Sequence, residues 1–264
     1  MQVAPSTATA EARPDGTFVV RVNAADIGTG ARTVLAQIAA DALGVPLERV
    51  RTEVGHSDLP PAPLAGGSMG TASWGWAVHE ACTRLAADPS PPSGERHIVR
   101  ADTTGTADAE SPYARHAFGA HFAEVAVDTV TGEIRVRRLL GIFAAGRILN
   151  ARTARSQFTG AMVMGLGMAL TEHSTLDPAF GDFPEADLAS YHVPVHADVP
   201  GIEADWIDEH DTHLNPMGSK GIGEIGIVGT AAALGNAVHH ATGIRFRTLP
   251  LTPDRILAGL LSEG

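Results

Sequence analysis

The segment Gly218-Ser219-Lys220-Gly221-Ile222-Gly223-Glu224-Ile225-Gly226 holds residue types suited to chemistry. Backbone N–H groups at a helix start bind anions, and glycines let a ligand come close to the chain. Lys220 adds a positive charge. It is the one lysine among 19 Lys and Arg residues, and a compact ammonium does in a tight site what a bulky guanidinium fork cannot. Glu224 would repel a simply bound anion, so an acid in this cradle makes sense as a proton-transfer group. The string also satisfies G-x-G-x-x-G through Gly221, Gly223 and Gly226. However, Leu214-Asn215-Pro216-Met217 leads into it instead of an apolar strand, and no acidic residue ends a strand about 20 residues further on, where a ribose would need it. No Walker spacing precedes Lys220. A tight helix entry with an exposed acid remains an alternative for this loop taken alone.

Two further loops offer N–H groups ahead of a helix. Leu64-Ala65-Gly66-Gly67-Ser68-Met69-Gly70-Thr71-Ala72-Ser73 adds three hydroxyls and suits a phosphate or a pterin edge, or else a plain helix cap. The weaker candidate is Asp26-Ile27-Gly28-Thr29-Gly30. Gln157 lies in an otherwise apolar helical stretch, where its amide must find either backbone or ligand partners. Twelve histidines include the close pairs His192/His196, His210/His213 and His239/His240, but no carboxylate–histidine motif accompanies them, so they read as ordinary polar residues.

These loops need elements to carry them. Residues 1–15 read as a flexible lead-in. Alternation predicts a strand over 17–23, and helical periodicity over 33–43 stops at Gly44. A turn and second strand are expected over 45–54, then a helix over 71–86. Residues 87–117, rich in Pro, Ser, Gly, Asp and Thr, read as a linker. A hairpin follows, with strands at 122–128 and 133–143 around a turn at 129–132. Residues 151–171 read as a long buried helix in which Gly160, Gly165 and Gly167 permit close packing. A strand at 202–207, a helix at 228–242 closed by Gly243, a short strand at 245–248 and a helix at 253–261 complete the chain. Strand, glycine loop and helix recur at 17–43, 133–171 and 203–242. The predicted fold is α+β: two α/β lobes, about 16–86 and 118–264, with glycine-rich loops at helix N-termini.

Composition narrows the class. A 264-residue chain that is 44% hydrophobic and 19% charged buries a sizeable core. The net charge of −11, with no basic run, excludes nucleic acid and anionic membrane as partners. The apolar stretch 158–170 is too short to span a bilayer. Cys82 is the only cysteine, so neither an internal disulfide nor an iron–sulfur cluster can be built from this chain alone. The N-terminal residues read as no export signal, which predicts a cytoplasmic location, or a periplasmic one if a partner carries the signal.

Six segments carry a resemblance. SKGIGEIGIVG is similar to the catalytic-glutamate segment of the large molybdenum subunit of the xanthine dehydrogenase/aldehyde oxidase family. DIGTGARTVLAQIAADALGVPLERV, GHSDLPPAPLAGGSMGTAS, FGAHFAEVAVDTVTGEIRVRR and ARSQFTGAMVMGLGMAL resemble other segments of that subunit, in the same order, and TGIRFRTLPLTPDRIL resembles its C-terminus. The resemblance runs from about residue 16 onward and corresponds to the second molybdenum-cofactor-binding domain.

The resemblance implies a molybdenum–molybdopterin cofactor, in bacteria usually the cytosine dinucleotide form. Gly28, Thr29 and Gly30 fall in one cofactor-contacting loop; Gly66, Gly67, Ser68 and Thr71 fall in another. Gln157 would hydrogen-bond the pterin, Lys220 and Gly221 would flank it, and Glu224 would be the general base. The implied reaction is oxidation of an aldehyde or N-heterocycle with water as the oxygen source. Iron–sulfur clusters and FAD would reside on partner subunits. Arg32 and Gly70 depart from the residue types usual in the family. The family's first molybdenum domain is not represented, so the expectation is either a split subunit whose partner supplies it or a piece of a longer chain; in either case the isolated chain should expose an apolar face. Two rival readings are a non-catalytic scaffold, which has no need of Glu224 and Lys220, and a nucleotide-binding module.

Overall fold

The computed structural model describes residues 3–88, 96–107, 112–199 and 201–263. The chain forms two compact units whose segments interleave. The first comprises residues 1–117, 144–154 and 208–223; the second comprises 118–143, 155–207 and 224–264. The expected contiguous lobes are corrected by this exchange: the chain crosses between the units five times, so sequence continuity does not mark them.

The first unit is built on a four-stranded sheet ordered β3-β2-β1-β4, from β1 (Thr7–Ala12), β2 (Phe18–Val22), β3 (Val50–Val54) and β4 (His97–Asp102). β2 and β3 are parallel and are joined through helix α1 (Ala31–Leu43). Gly44 closes that helix in the left-handed conformation, as its position predicts. α1 and α2 (Gly70–Ala87) cover the sheet. Leu35, Ile38, Trp74, Val78, Cys82 and Leu85 meet Ala8, Ala10, Val20 and Val22 there.

Two expectations fail in this unit. The lead-in contains β1, antiparallel to both β2 and β4, and the linker contains β4. Their sequences are polar because β1 is also buried on its outer side. The Thr7 hydroxyl donates to Asp102 at 2.9 Å. The Glu11 side chain, 1% exposed, accepts from Arg13 and Arg21. Burial alone would raise the Glu11 pKa, but the two guanidinium partners override it and hold the carboxyl below its ordinary value. The remainder of the linker at 89–95 and 108–111 lies outside the described residues.

The second unit holds a three-stranded sheet, β5-β6-β7, from β5 (Phe118–Val127), β6 (Ile134–Ala144) and β7 (Ile202–Trp206). The predicted hairpin is present, starting earlier than expected. Its turn is closed by the Asp128 N–H donating to the Glu133 carbonyl at 2.9 Å. β6 and β7 are parallel, and helix α3 (Ala151–Leu170) lies between them in sequence. Gly165 gives close packing, since a Cβ there would stand 2.6 Å from Thr230. Gly160 does not: it faces open space on the exposed side, with Met164 and Met168, so α3 is buried on one face only.

The expected helix at 228–242 is divided at Gly229 into α4 (Ile225–Val228) and α5 (Thr230–Thr242). Residues 245–248 form no strand despite their β-prone composition. Phe246 instead joins the apolar cluster of Val238, Leu251 and Ile256, beneath helix α6 (Pro253–Glu263). Among the described residues no helix is long and apolar enough to cross a membrane. The α+β class stands.

Candidate cofactor site

The first unit holds a tight turn at 66–69. The Met69 N–H donates to the Gly66 carbonyl at 3.3 Å. Gly67 and Ser68 at the centre of the turn both have positive φ, 61° and 55°. Two successive left-handed residues mark the type I′ class of turn, and a serine held there is a strained feature of the kind that clusters at ligand sites. α2 starts directly after the turn. Its first-turn N–H groups, at Gly70, Thr71 and Ala72, have no acceptor within the helix. The departure at Gly70 has a local reason: a Cβ there would stand 2.8 Å from the Trp74 ring, whose Nε1–H donates to the Pro63 carbonyl at 2.9 Å. The indole thereby ties the helix start to the loop before it.

The 218–223 loop meets this turn within the same unit. A Cβ on Gly221 would run into the Ser68 carbonyl oxygen, and one on Gly223 would stand 3.2 Å from Ser68 Oγ. Two of the glycine-rich loops singled out in the sequence are therefore in van der Waals contact, 153 positions apart. Ser219 is buried at 4% exposure, and its Oγ has no hydrogen-bond partner among the described residues.

Lys220 is fixed by two acids that flank His210 in sequence, Glu209 and Asp211. Its side chain is 8% exposed, pairs closely with Glu209, and has Asp211 at 3.8 Å. The signal available was two carboxylates 11 and 9 positions before the lone lysine. Lys220→Met would leave those half-buried carboxylates without their counter-charge. Removing one partner of a buried pair is strongly destabilising; with the acids still partly solvated we expect about 2–4 kcal/mol, read by thermal denaturation. A denaturation midpoint equal to the wild type would show that the ion pair carries no such weight.

The 26–30 loop is arranged differently. Its N–H groups turn inward: those of Gly28, Gly30 and Arg32 donate to the Asp26 carboxylate at 3.1, 3.2 and 3.3 Å. Burial alone would raise the Asp26 pKa, but the N–H donors of Arg32, Gly28 and Gly30 more than offset it and hold the pKa below the ordinary value. Stability from this loop is thus present above the normal aspartate range and is lost as pH falls through the lowered value. Asp26→Ala should cost about 0.5–1 kcal/mol at neutral pH, as loss of an exposed capping carboxylate does, and the cost should vanish in acid. A pH-independent difference in Tm between the two proteins would contradict this. Gly30 also packs on Thr153, where a Cβ would stand 3.0 Å from Cγ2.

Gln157 and Glu224 belong to the second unit. Gln157 is half-buried on α3. The next residue, Phe158, supports α4: a Cβ on Gly226 would stand 2.8 Å from both the Phe158 carbonyl and Ala161 Cβ. Glu224 is the N-cap residue of α4. It is exposed, and its side chain does not cap the helix. α4 thus brings the Glu224 backbone to the stretch of α3 that carries Gln157. Along the chain, Glu224 follows Gly223 directly.

The first unit thus defines a class: an α+β scaffold in which two glycine turns pack on each other at the start of a helix, with a carboxylate next along the chain. A family model described as the molybdopterin cofactor-binding domain matches residues 1–103 and 90–200. The chain belongs to that family, among the molybdenum-binding subunits of the xanthine oxidase type. The aldehyde oxidoreductase molybdenum-binding subunit PaoC of Escherichia coli O157:H7 is 42% identical over 271 residues, covering 92% of this chain and 37% of that protein. The probable hypoxanthine oxidase XdhD of Escherichia coli (strain K12) is 32% identical over 281 residues, covering 93% and 29%. Among solved structures, the aldehyde oxidoreductase from Desulfovibrio gigas superposes with a TM-score of 0.82 at 26% identity, over 97% of this chain and 30% of that one. The chain therefore spans 37% and 29% of the length of these two relatives.

The residues present fit a pterin cofactor on the structure's own terms. The contact at Gly221 leaves no room for a side chain, the 66–69 turn is strained, and Ser219 offers an unpartnered buried hydroxyl.

Proposed function

We propose that this chain supplies part of the cofactor site of a molybdenum hydroxylase that oxidises aldehydes or N-heterocycles with water as the oxygen source, with Glu224 as general base. The observation that carries the reading is the contact of Gly221 with the Ser68 turn, one loop ahead of a carboxylate, in a chain of the molybdopterin-binding family. Gly66, Gly67, Ser68 and Thr71 contact the cofactor through the turn and the start of α2. Gly28, Thr29 and Gly30 contribute through the shape of their loop, since Asp26 already holds two of its N–H groups. Gln157 hydrogen-bonds the pterin. Gly221 flanks the cofactor, and Lys220 does so while anchored by Glu209.

When bound, the molybdenum–pterin group supplies the two-electron redox chemistry. Glu224 accepts the proton that a water-derived nucleophile gives up as it attacks the substrate carbon. The cofactor is the cytosine dinucleotide form. Partner subunits carry the iron–sulfur clusters and FAD. Phe180 and Leu188 in the second unit are 85% and 80% exposed, which supports a chain that is covered by partners in its working state. Replacing Glu224 with Gln in the assembled enzyme, with molybdenum content measured beside turnover, tests the reading. Wild-type turnover by that variant would overturn it.

A further inference from the structure

A helix of four residues such as α4 does not hold itself, because short helices are marginal without tertiary support. Its orientation, and with it the direction in which the N-cap residue Glu224 leaves the chain, depends on outside ties. On one side these come from α3, through the tight approach of Gly226 to Phe158 and Ala161. On the other side lies His121 of β5.

The Gly226 carbonyl accepts two hydrogen bonds. One comes from the Thr230 hydroxyl at 2.9 Å, within the helical segment; the other comes from His121 Nε2 at 3.1 Å, 105 positions away. A carbonyl only accepts, so Nε2 carries the hydrogen. The Nδ1 edge of the ring fits against Gly229, where a Cβ would run into Nδ1 and stand 2.8 Å from Cε1 and 2.9 Å from Cγ. The ring meets Phe143 edge-on at 5.3 Å between centroids, and Phe143 stacks on Phe158 at 4.2 Å. The imidazole is therefore held on three sides, with its N–H aimed at the turn. Burial pushes its pKa below the ordinary histidine value, against a smaller upward pull from the Gly226 bond. The ring is neutral at pH 7.

We propose that His121 is a positioning residue for Glu224: its Nε2–H clasps the Gly226 carbonyl and fixes the single helical turn that Glu224 begins. The inference rests on the reading of Glu224 as general base. A proton acceptor must be held to a fraction of an ångström, and a misplacement of about 1 Å can cost about 10²-fold in rate.

The test uses the assembled enzyme and three variants: His121→Phe, which keeps the ring and removes the donor; His121→Gln, whose amide Nε2 can reach the same carbonyl; and Glu224→Gln. Three quantities are read: molybdenum content, the kcat and KM pair, and amide hydrogen exchange of the peptide covering residues 222–231. We expect H121F to keep its molybdenum, to lose about 10–10²-fold in kcat at nearly constant KM, and to exchange faster in that peptide. H121Q should restore most of both. Should H121F fail to assemble, His121→Asn, whose shorter amide does not reach the carbonyl, takes its place. Wild-type exchange and kcat in the donor-less variant, or failure of H121Q to recover either, would overturn the positioning role. E224Q separates the two ideas: an inactive E224Q beside a fully active H121F defeats only the role of His121, whereas a fully active E224Q defeats the base assignment itself.

Discussion

Glu224→Gln is expected to lower turnover of the assembled enzyme by about 10²–10⁴-fold, the usual contribution of a positioned general base. That loss corresponds to about 2.7–5.5 kcal/mol of transition-state stabilisation. The substitution is nearly isosteric, but an amide cannot take up the proton. Glu224 is exposed, and its side chain does not cap α4. Because the missing interaction belongs to the transition state, kcat and kcat/KM should fall together while KM stays near its wild-type value. Molybdenum content should be unchanged. Loss of molybdenum in parallel with loss of rate would mean that Glu224 helps hold the cofactor, and the base assignment would then be wrong.

The second large effect is expected at Gly221. A Cβ there would enter the space of the Ser68 carbonyl oxygen. The obstacle is backbone in a turn that already carries two left-handed residues, so no rotamer change relieves it. Either the 66–69 turn opens or the 218–223 loop lifts away. Overpacking of this kind costs about 1–3 kcal/mol, and both responses disturb the surface assigned to the pterin. Gly221→Ala should therefore lower the thermal midpoint and reduce retained molybdenum by about tenfold, the equivalent of 1.4 kcal/mol in binding. Gly223→Ala is the matched control. Its Cβ would stand 3.2 Å from Ser68 Oγ, the end of a rotatable side chain, and should be tolerated. Equal molybdenum retention in the two alanine variants would show that the contact between the loops does not shape the site.

Wherever the physical signal is local, the sequence alone was decisive. The alternation in β2, the helical period of α1 with its glycine stop, the hairpin between β5 and β6, and the long α3 were all legible. Each depends on neighbours within a few residues. The Gly–Lys–Gly–Glu segment was legible for the same reason: its residue types conflict with simple anion binding, and the conflict points to proton chemistry.

The tertiary structure decided whatever depends on a distant partner. β1 read as loose because Thr7, Thr9 and Glu11 make a polar string; it becomes an inner strand only when Asp102 and the guanidinium groups of Arg13 and Arg21 satisfy its polar side. Residues 245–248 have strand composition but find no strand to pair with. The inward turn of the Gly28 and Gly30 N–H groups, the clasp on Lys220, the contact of Ser68 with Gly221 and the bond from His121 to Gly226 all follow from which groups the fold brings together. Residue type and spacing cannot reveal that, because a hydrogen bond needs its partner within about 3 Å whatever the sequence separation.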